Sequence, residues 1–167
     1  MKLPESEYEE FRCTFAKHGE ADQLHLVDSL APSDTLAMAT LVAMWRTETK
    51  PSILRWVARA LCSFDSSQAN KCLVEALNHP NMSVRLHAVS GLHRTKRKDM
   101  LAFILPLVKD SSSAVRLRAL GALVDLQAEG VEPLLEGALG DTKDYVRNYA
   151  HTALSARARR PSNSSAA

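Results

Sequence analysis

One segment of this chain recurs three times at a constant spacing of 31 residues, and this repeat restricts the fold more than any other feature. The copies align without gaps and share the pattern Val-Arg-x-x-Ala-x-x-x-Leu. They are residues 84–92, 115–123 and 146–154. A further step back leads to residues 53–61, where Ile53 and Leu61 keep apolar positions although Leu54 replaces the arginine. The chain is therefore built from copies of one structural unit.

Each copy has the apolar pattern of a helix. Its apolar residues fall at positions i, i+4, i+7 and i+8, which lie on one face of a helix and do not fit the period of two of a strand. A second apolar stripe precedes each copy in the same register. These stripes are Leu73/Ala76/Leu77, Ile104/Leu107/Val108 and Leu135/Ala138/Leu139. A polar turn with Asp, Asn or Ser, side chains that cap helix starts, separates the two stripes. Each unit is predicted to be a pair of amphipathic helices.

Such units have to stack. A pair of helices about 31 residues long cannot bury both faces alone, so successive copies share one continuous core. The sequence therefore predicts an all-α fold, a right-handed α-solenoid of about five helical hairpins in a single domain over residues 1–160. Residues 1–34 are predicted to form an atypical N-terminal helical cap, 35–65 a degenerate repeat, 66–160 the regular repeats and 161–167 a disordered tail.

The spacing, the turn acids and the Val-Arg motif resemble the HEAT-like repeats of phycobilin lyases and many bacterial solenoid proteins. The copies that begin at Val84, Val115 and Val146 carry the resemblance. It implies that the arginine after each valine bonds acids or carbonyls of neighbouring turns in a structural ladder that fixes the stacking of units. The ladder residues are Arg85, Arg116, Arg147, Asp110 and Asp141. The alternative is that these arginines form an anion-binding stripe.

The position two residues after each ladder arginine lies on the helix face turned away from the core. In steps of 31 it reads Trp56, His87, Arg118 and Tyr149, and adjacent helical positions add Arg59, Ser90, Arg94, Asp125, Tyr145 and Thr152. Because second helices line the concave surface of HEAT-like solenoids, the resemblance implies one continuous row there. Aromatic and arginine side chains anchor protein interfaces. The predicted partner-binding row is Trp56, Arg59, His87, Arg94, Arg118, Tyr145 and Tyr149. The alternative is that Trp56 and Tyr149 only pack between helices.

Sequence motifs for catalysis, metal binding or membrane insertion are missing. There is no H-E-x-x-H, Walker loop or G-x-S-x-G, the six histidines are scattered, and the three cysteines lack C-x-x-C spacing. No apolar run reaches the ~20 residues that cross a bilayer, and the start lacks a secretory signal. We expect a cytoplasmic protein that is not an enzyme, with no cofactor, no metal and no membrane contact, whose cysteines are reduced thiols buried in helices.

The charge of the chain is unevenly distributed. Residues 1–34 have a net charge of −5, which leaves +7 for the remainder of a chain whose total is +2. Such asymmetry suits the steering of a charged partner. The basic run at residues 94–98 is a candidate phosphate site, but the mixed chemistry of the row makes nucleic acid the lesser alternative.

Together these features predict a non-catalytic protein–protein interaction module. It binds a partner with acidic contact residues on its concave face, for example as a bacterial inhibitor or immunity-type protein. One alternative is a lyase-type or chaperone-like accessory subunit of an enzyme. A second alternative is a nucleic-acid-binding HEAT-like solenoid.

Overall fold

The computed structural model describes Cys13 and residues 35–64 and 66–159. Within these ranges it contains eight α-helices and two 3₁₀-helices, and no strand. The α-helices are α1 Thr35–Thr47, α2 Pro51–Leu61, α3 Ser67–Ala76, α4 Met82–Arg94, α5 Leu101–Ile104, α6 Ser113–Asp125, α7 Val131–Ala138 and α8 Asp144–Ala158. The predicted all-α fold is confirmed. The predicted cap, apart from Cys13, and the predicted tail lie outside the described residues.

The helices form four successive hairpins, each with a first and a second helix. The second helices α2, α4, α6 and α8 pack against one another in chain order, and each also packs against the first helix of its own hairpin. The three aligned sequence copies lie in α4, α6 and α8, so the 31-residue period is the step from one hairpin to the next. This stacking is that of an α-solenoid.

The first helix of the third hairpin is interrupted. Here α5 spans only Leu101–Ile104 and lies between the 3₁₀-helices Lys98–Met100 and Leu105–Lys109. Pro106 lies at the start of the second 3₁₀-helix, where it has no backbone N–H to donate to a continuing α-helix. The layer of first helices is therefore less regular than the layer of second helices.

The core is made of the residues that define the repeat. Six of them have no exposed surface. They are Val84, Val115, Val146, Ala88, Ala119 and Ala150. One residue of the predicted apolar stripe in the fourth hairpin is not in the core. Leu139 follows the end of α7 and is 41% exposed. Burial of each large apolar side chain contributes about 1.5–3 kcal/mol, so the shared core is the main force that stacks the hairpins.

A glycine lets α2 and α4 approach closely. A Cβ atom at Gly91 would overlap Cys62 Sγ and would lie 3.0 Å from Leu73 Cδ1. The corresponding residues of the next two units are Ala122 and Ala153. Cys62 Sγ fills the space beside Gly91 and donates to the carbonyl oxygen of Ala58 at 3.1 Å. The tight crossing is specific to this pair of helices.

The three cysteines are free thiols. Cys72 is buried and Cys62 is half-buried, whereas Cys13 is exposed, so the expectation that all three are buried is wrong for Cys13. Burial raises the pKa of Cys62 to about 12 despite the nearby charges of Arg94 and Arg59. In the part of the chain that the structure describes, no helix is both long and apolar enough to cross a membrane.

Candidate functional site

Two arginines of the predicted ladder link neighbouring hairpins. Arg85 donates from Nε and Nη2 to both carboxylate oxygens of Asp110 at 2.7 Å, and Arg116 makes the same pair of bonds to Asp141 at 2.6 and 2.7 Å. Arg85 Nη1 donates to the carbonyl oxygen of His79 at 2.8 Å, and Arg116 Nη1 donates to that of Asp110 at 2.8 Å. Each guanidinium therefore joins the turn of its own hairpin to the turn of the next.

The two aspartates also hold the turns that lead into the second helices. Asp110 Oδ1 accepts from the Ser112 amide at 2.7 Å, and Asp141 Oδ1 accepts from the Lys143 amide at 2.9 Å. The hydrogen bond from Arg116 lowers the pKa of Asp141 to about 2. Burial acts to raise the pKa of Asp110, but its hydrogen bonds and the neighbouring arginine charges outweigh burial, and the pKa is lowered. Both carboxylates are therefore ionised at neutral pH.

The ladder differs at its two ends. Arg147 donates to the carbonyl oxygen of Asp141 at 2.6 Å and to the carboxylate of Asp144 three residues earlier on α8, so its bonds stay within its own hairpin. At the other end Leu54 holds the arginine position and His79 holds the aspartate position. His79 Nδ1 still accepts from the Asn81 amide at 3.0 Å, which preserves the contact within the turn without the link between hairpins.

The structure places Trp56 differently from the prediction of an exposed anchor. Trp56 is 8% exposed, and its ring stacks on His87 with a centroid separation of 6.2 Å and an interplanar angle of 26°. The Arg55 guanidinium lies 5.1 Å from the centroid of the same ring. These contacts cover the indole, so Trp56 is not an exposed anchor, and its role in partner binding stays a prediction. The alternative, packing between helices, describes it.

Three arginine side chains act electrostatically on His87. Burial, followed by the charges of Arg59, Arg55 and Arg118, lowers the pKa of His87 to about 4, so the imidazole is neutral at pH 7. Arg59 is half-buried, whereas Arg118 and Arg94 are exposed. The charges of Arg59 and Arg94 both lower the pKa of the half-buried Cys62 thiol against the larger effect of burial. The row residues of the first two hairpins thus form a basic region with one buried aromatic ring.

A groove of about 510 Å³ opens between α4, α6 and α8. It brings together three residues of the predicted row, Arg118, Tyr145 and Tyr149. Tyr145 is 47% exposed, Tyr149 is half-buried, and the Tyr145 hydroxyl is hydrogen-bonded to Ser113 Oγ. The groove therefore has aromatic walls and an exposed guanidinium within it.

Other residues of the groove were not among the predicted site residues. Leu86 and Leu117 contribute apolar surface, and each is the residue directly after a ladder arginine. Asp125, which the prediction places next to the row, also lines the groove. Its Oδ2 atom lies 3.3 Å from His93 Nε2. The 31-residue spacing gives a signal for Asp125, because the equivalent residue one unit earlier is Arg94, a member of the predicted row. The groove is thus charged at both ends.

No metal centre is evident among the described residues. Within residues 35–64 and 66–159, together with Cys13, no three His, Cys, Asp or Glu side chains come together as metal ligands. What the arrangement offers chemically is an apolar groove with aromatic and charged contact groups.

Comparison with known proteins identifies the family. No curated protein was found that matches the chain. The family model for HEAT repeats matches residues 38–104 and 70–155, which together cover more than two thirds of the chain. Repeats of this kind generally mediate protein–protein interaction. The matched region contains all four described hairpins almost completely, and the chain belongs to the HEAT repeat family.

Proposed function

We propose that this protein binds a segment of a partner protein in the groove between α4, α6 and α8. The observation that carries the proposal is the exposure of Tyr145 and Arg118 above an apolar floor in a preformed cavity of about 510 Å³. Tyrosine and arginine are enriched among residues that dominate binding energy. The general role of HEAT repeats in protein interaction supports the same conclusion.

The stacking of the hairpins supports binding without a large rearrangement. The groove is lined by three second helices that pack on one another, and the Arg85–Asp110 and Arg116–Asp141 pairs join the three hairpins that supply these helices. A groove held in its binding shape loses little conformational entropy when a partner is bound. The ladder thus contributes to function by positioning the groove and makes no contact with the partner.

Acidic contact residues of the partner would meet the basic end of the groove. Arg118 lines the groove, and together with Arg55 and Arg59 it surrounds the neutral imidazole of His87. Carboxylates of a partner would be attracted to this region before contact and aligned during it. A bacterial inhibitor or immunity-type protein acting in the cytoplasm is the concrete version that we propose, because occupying a target needs no catalytic groups.

The accessory-subunit and nucleic-acid alternatives have weaker support. No observation of the described residues favours a lyase-type role. The basic run at residues 94–98 is partly neutralised because Arg97 pairs with Asp99 at 2.6 Å. Asp125 adds negative charge to the groove, which a phosphate backbone would avoid. A protein segment is the occupant that fits the mixed charges.

Site-specific photocrosslinking tests the proposal and controls for exposure. A photoreactive phenylalanine analogue is placed at Tyr145 in the groove or at Phe103 on α5, which is equally exposed at 45% against 47%. Irradiation in the native host, followed by mass spectrometry, is expected to give a discrete protein adduct from position 145 that is absent from position 103. Identical adducts from both positions, or adducts from position 103 alone, would contradict the proposal.

A further inference from the structure

The groove has a second charged end, and we infer that its partner segment carries one acidic and one basic side chain. The acidic group meets Arg118 and the basic group meets Asp125, both of which line the cavity. This inference rests on the proposed function and specifies the partner. It differs from the expectation of an acidic partner alone, because it assigns a cation-binding subsite to Asp125.

Asp125 occupies a position that is unfavourable for the free protein. It is the last residue of α6, its side chain is 57% exposed, and the last turn of that helix contains no basic residue. A carboxylate at a helix C-terminus faces the negative end of the helix dipole, which is unfavourable. Arg94 holds the corresponding position of α4, where its charge is favourable. The carboxylate therefore does not contribute to the stability of its own helix.

The neighbours of Asp125 do not neutralise it. His93 is the one partner within ion-pair distance in the described ranges, at 3.3 Å. Burial and the charge of Lys96 lower the pKa of His93, and with Arg118 they outweigh the opposite effect of Asp125, so this imidazole is neutral at pH 7. Among the described residues Asp125 therefore has no ion pair with a charged partner at pH 7.

Two further cations lie across a neighbouring cavity of about 370 Å³ that Asp125 also lines. Lys96 Nζ lies 3.4 Å from His93 Nε2, and Arg157 donates to Glu132 at 2.6 Å. Neither of them forms an ion pair with Asp125 in the described part of the chain. The carboxylate remains available on the groove side.

An aromatic ring completes the proposed cation subsite. Tyr149 lines the same groove as Asp125, and burial together with the charge of Asp125 raises the pKa of the Tyr149 phenol. The phenol therefore stays protonated and neutral at pH 7. Lysine and arginine heads are attracted both by carboxylates and by tyrosine ring faces. The pair of Asp125 and Tyr149 suits a basic side chain better than an apolar one.

The distance between the two charged ends sets the spacing of the partner's charges. Arg118 and Asp125 are seven residues apart on α6, which is about 10.5 Å along the helix axis at 1.5 Å per residue. An extended segment covers about 10 Å in three residues, and a helix covers it in seven. An acid and a base at one of these separations would reach both charged groups, with small or apolar residues between them over Gly121 and Ala122. The charges would also determine the direction in which the segment lies.

A random peptide library displayed on phage is the probe for this inference. Selection against the wild-type protein is expected to enrich peptides with an acidic and a basic residue at the stated separation. Peptide affinity is then measured against Asp125→Lys, Arg118→Glu and the double variant, with Lys109→Glu as a control on an exposed residue that does not line the groove. Each single variant should weaken the best peptide about fivefold, as expected for one exposed ion pair. The double variant should prefer the peptide with the two charges exchanged.

The outcomes separate this inference from the proposed function. If Tyr145→Ala weakens the enriched peptides but Asp125→Lys leaves their affinity unchanged, the cation subsite is wrong and groove binding stands. If Tyr145→Ala changes no affinity, groove binding itself is wrong. Misfolding does not explain a loss in Asp125→Lys, since this change places a cation at a helix C-terminus. The unfolding free energy of that variant, measured in parallel, is expected to equal or exceed that of the wild type.

Discussion

Arg116 and Asp141 form a pair of hydrogen bonds, at 2.6 and 2.7 Å, that crosses the boundary between the third and fourth described hairpins. Both side chains are largely buried, with 14% and 8% of their surfaces exposed. Arg85 and Asp110 repeat this contact one hairpin earlier, again 25 residues apart. When one partner of such a pair is removed, the other is left as an uncompensated buried charge. The contribution of the ladder to the free energy of unfolding therefore comes from a few side chains, which single substitutions can test.

The first prediction uses the residues that occupy the arginine and aspartate positions of the ladder one hairpin earlier in the same chain. Leu54 and His79 stand where the next hairpins have arginine and aspartate. Arg85→Leu alone and Asp110→His alone should each lower the unfolding free energy by about 3 kcal/mol, because each leaves a buried charge unpaired. The double variant should be more stable than the sum of the two losses predicts, by at least about 1 kcal/mol. Urea denaturation of the four proteins measures this coupling.

The exposed pair Arg97 and Asp99 serves as the control for that cycle. Its side chains are 45% and 56% exposed, and the corresponding double-variant cycle should give a much smaller coupling, because solvent screens an exposed ion pair. Equal couplings for the two pairs would contradict a special role of the ladder.

The second prediction concerns acid. The pKa of Asp141 is lowered from 3.8 to about 2 by the hydrogen bond from Arg116, so the unfolded chain binds a proton more readily than the folded one. The stabilisation from this pair is complete above pH 4 and is lost as the pH falls toward 2. In Asp141→Asn the unfolding free energy should be lower at pH 7 and should fall less steeply between pH 4 and 2. Parallel slopes for the two proteins in thermal unfolding would count against the assignment.

The hairpins could be predicted from the sequence because the repeat has a constant spacing, whereas the ladder was implied by the resemblance to HEAT-like repeats. A step of 31 residues carries an arginine to the equivalent place in the next hairpin, and the turn acids follow at the same period. The resemblance then implies Asp110 and Asp141 as the acceptors of this ladder. Leu139 shows the limit of this reasoning, since Leu77 and Leu139 both follow the end of a first helix in the same apolar register, yet Leu77 is buried and Leu139 is exposed.

Exposure within the row could not be predicted in the same way. The period places Trp56, His87, Arg118 and Tyr149 at equivalent positions, but it does not say what covers them. His87 and Arg55 cover Trp56 through side-chain packing, which the spacing of the repeat does not determine. Asp125 lines the groove, although the prediction names it only among the positions adjacent to the row.

The third prediction contrasts two glycines of the second helices. Gly91→Ala should destabilise the protein by about 1–3 kcal/mol, because the added methyl overlaps Cys62 Sγ and presses on Leu73 in a tightly packed crossing. Gly121→Ala is the matched variant, since its Cβ would lie 3.6 Å from the Tyr149 hydroxyl in ordinary contact. It should raise stability by about 0.5–1 kcal/mol through helix propensity. Thermal unfolding of both variants tests this, and a gain in both would show that the α2–α4 crossing can relax.

The fourth prediction concerns two strained residues that are also one repeat apart. Lys96 and Gln127 follow the ends of α4 and α6 and have φ angles of 55° and 54°, in the left-handed region that glycine adopts without strain. The Ala128 amide donates to the carbonyl oxygen of Leu123 at 2.9 Å, so the backbone of this cap is fully formed although glycine is missing from it.

Gln127→Gly should therefore raise the unfolding free energy by about 0.5–1 kcal/mol, since relief of the left-handed strain exceeds the entropy cost of glycine. Gln127→Ala keeps the strain and should leave stability within about 0.5 kcal/mol of the wild type, which makes it the control in urea denaturation. A loss of stability in Gln127→Gly would mean that contacts of the glutamine side chain hold this turn, and not its backbone geometry.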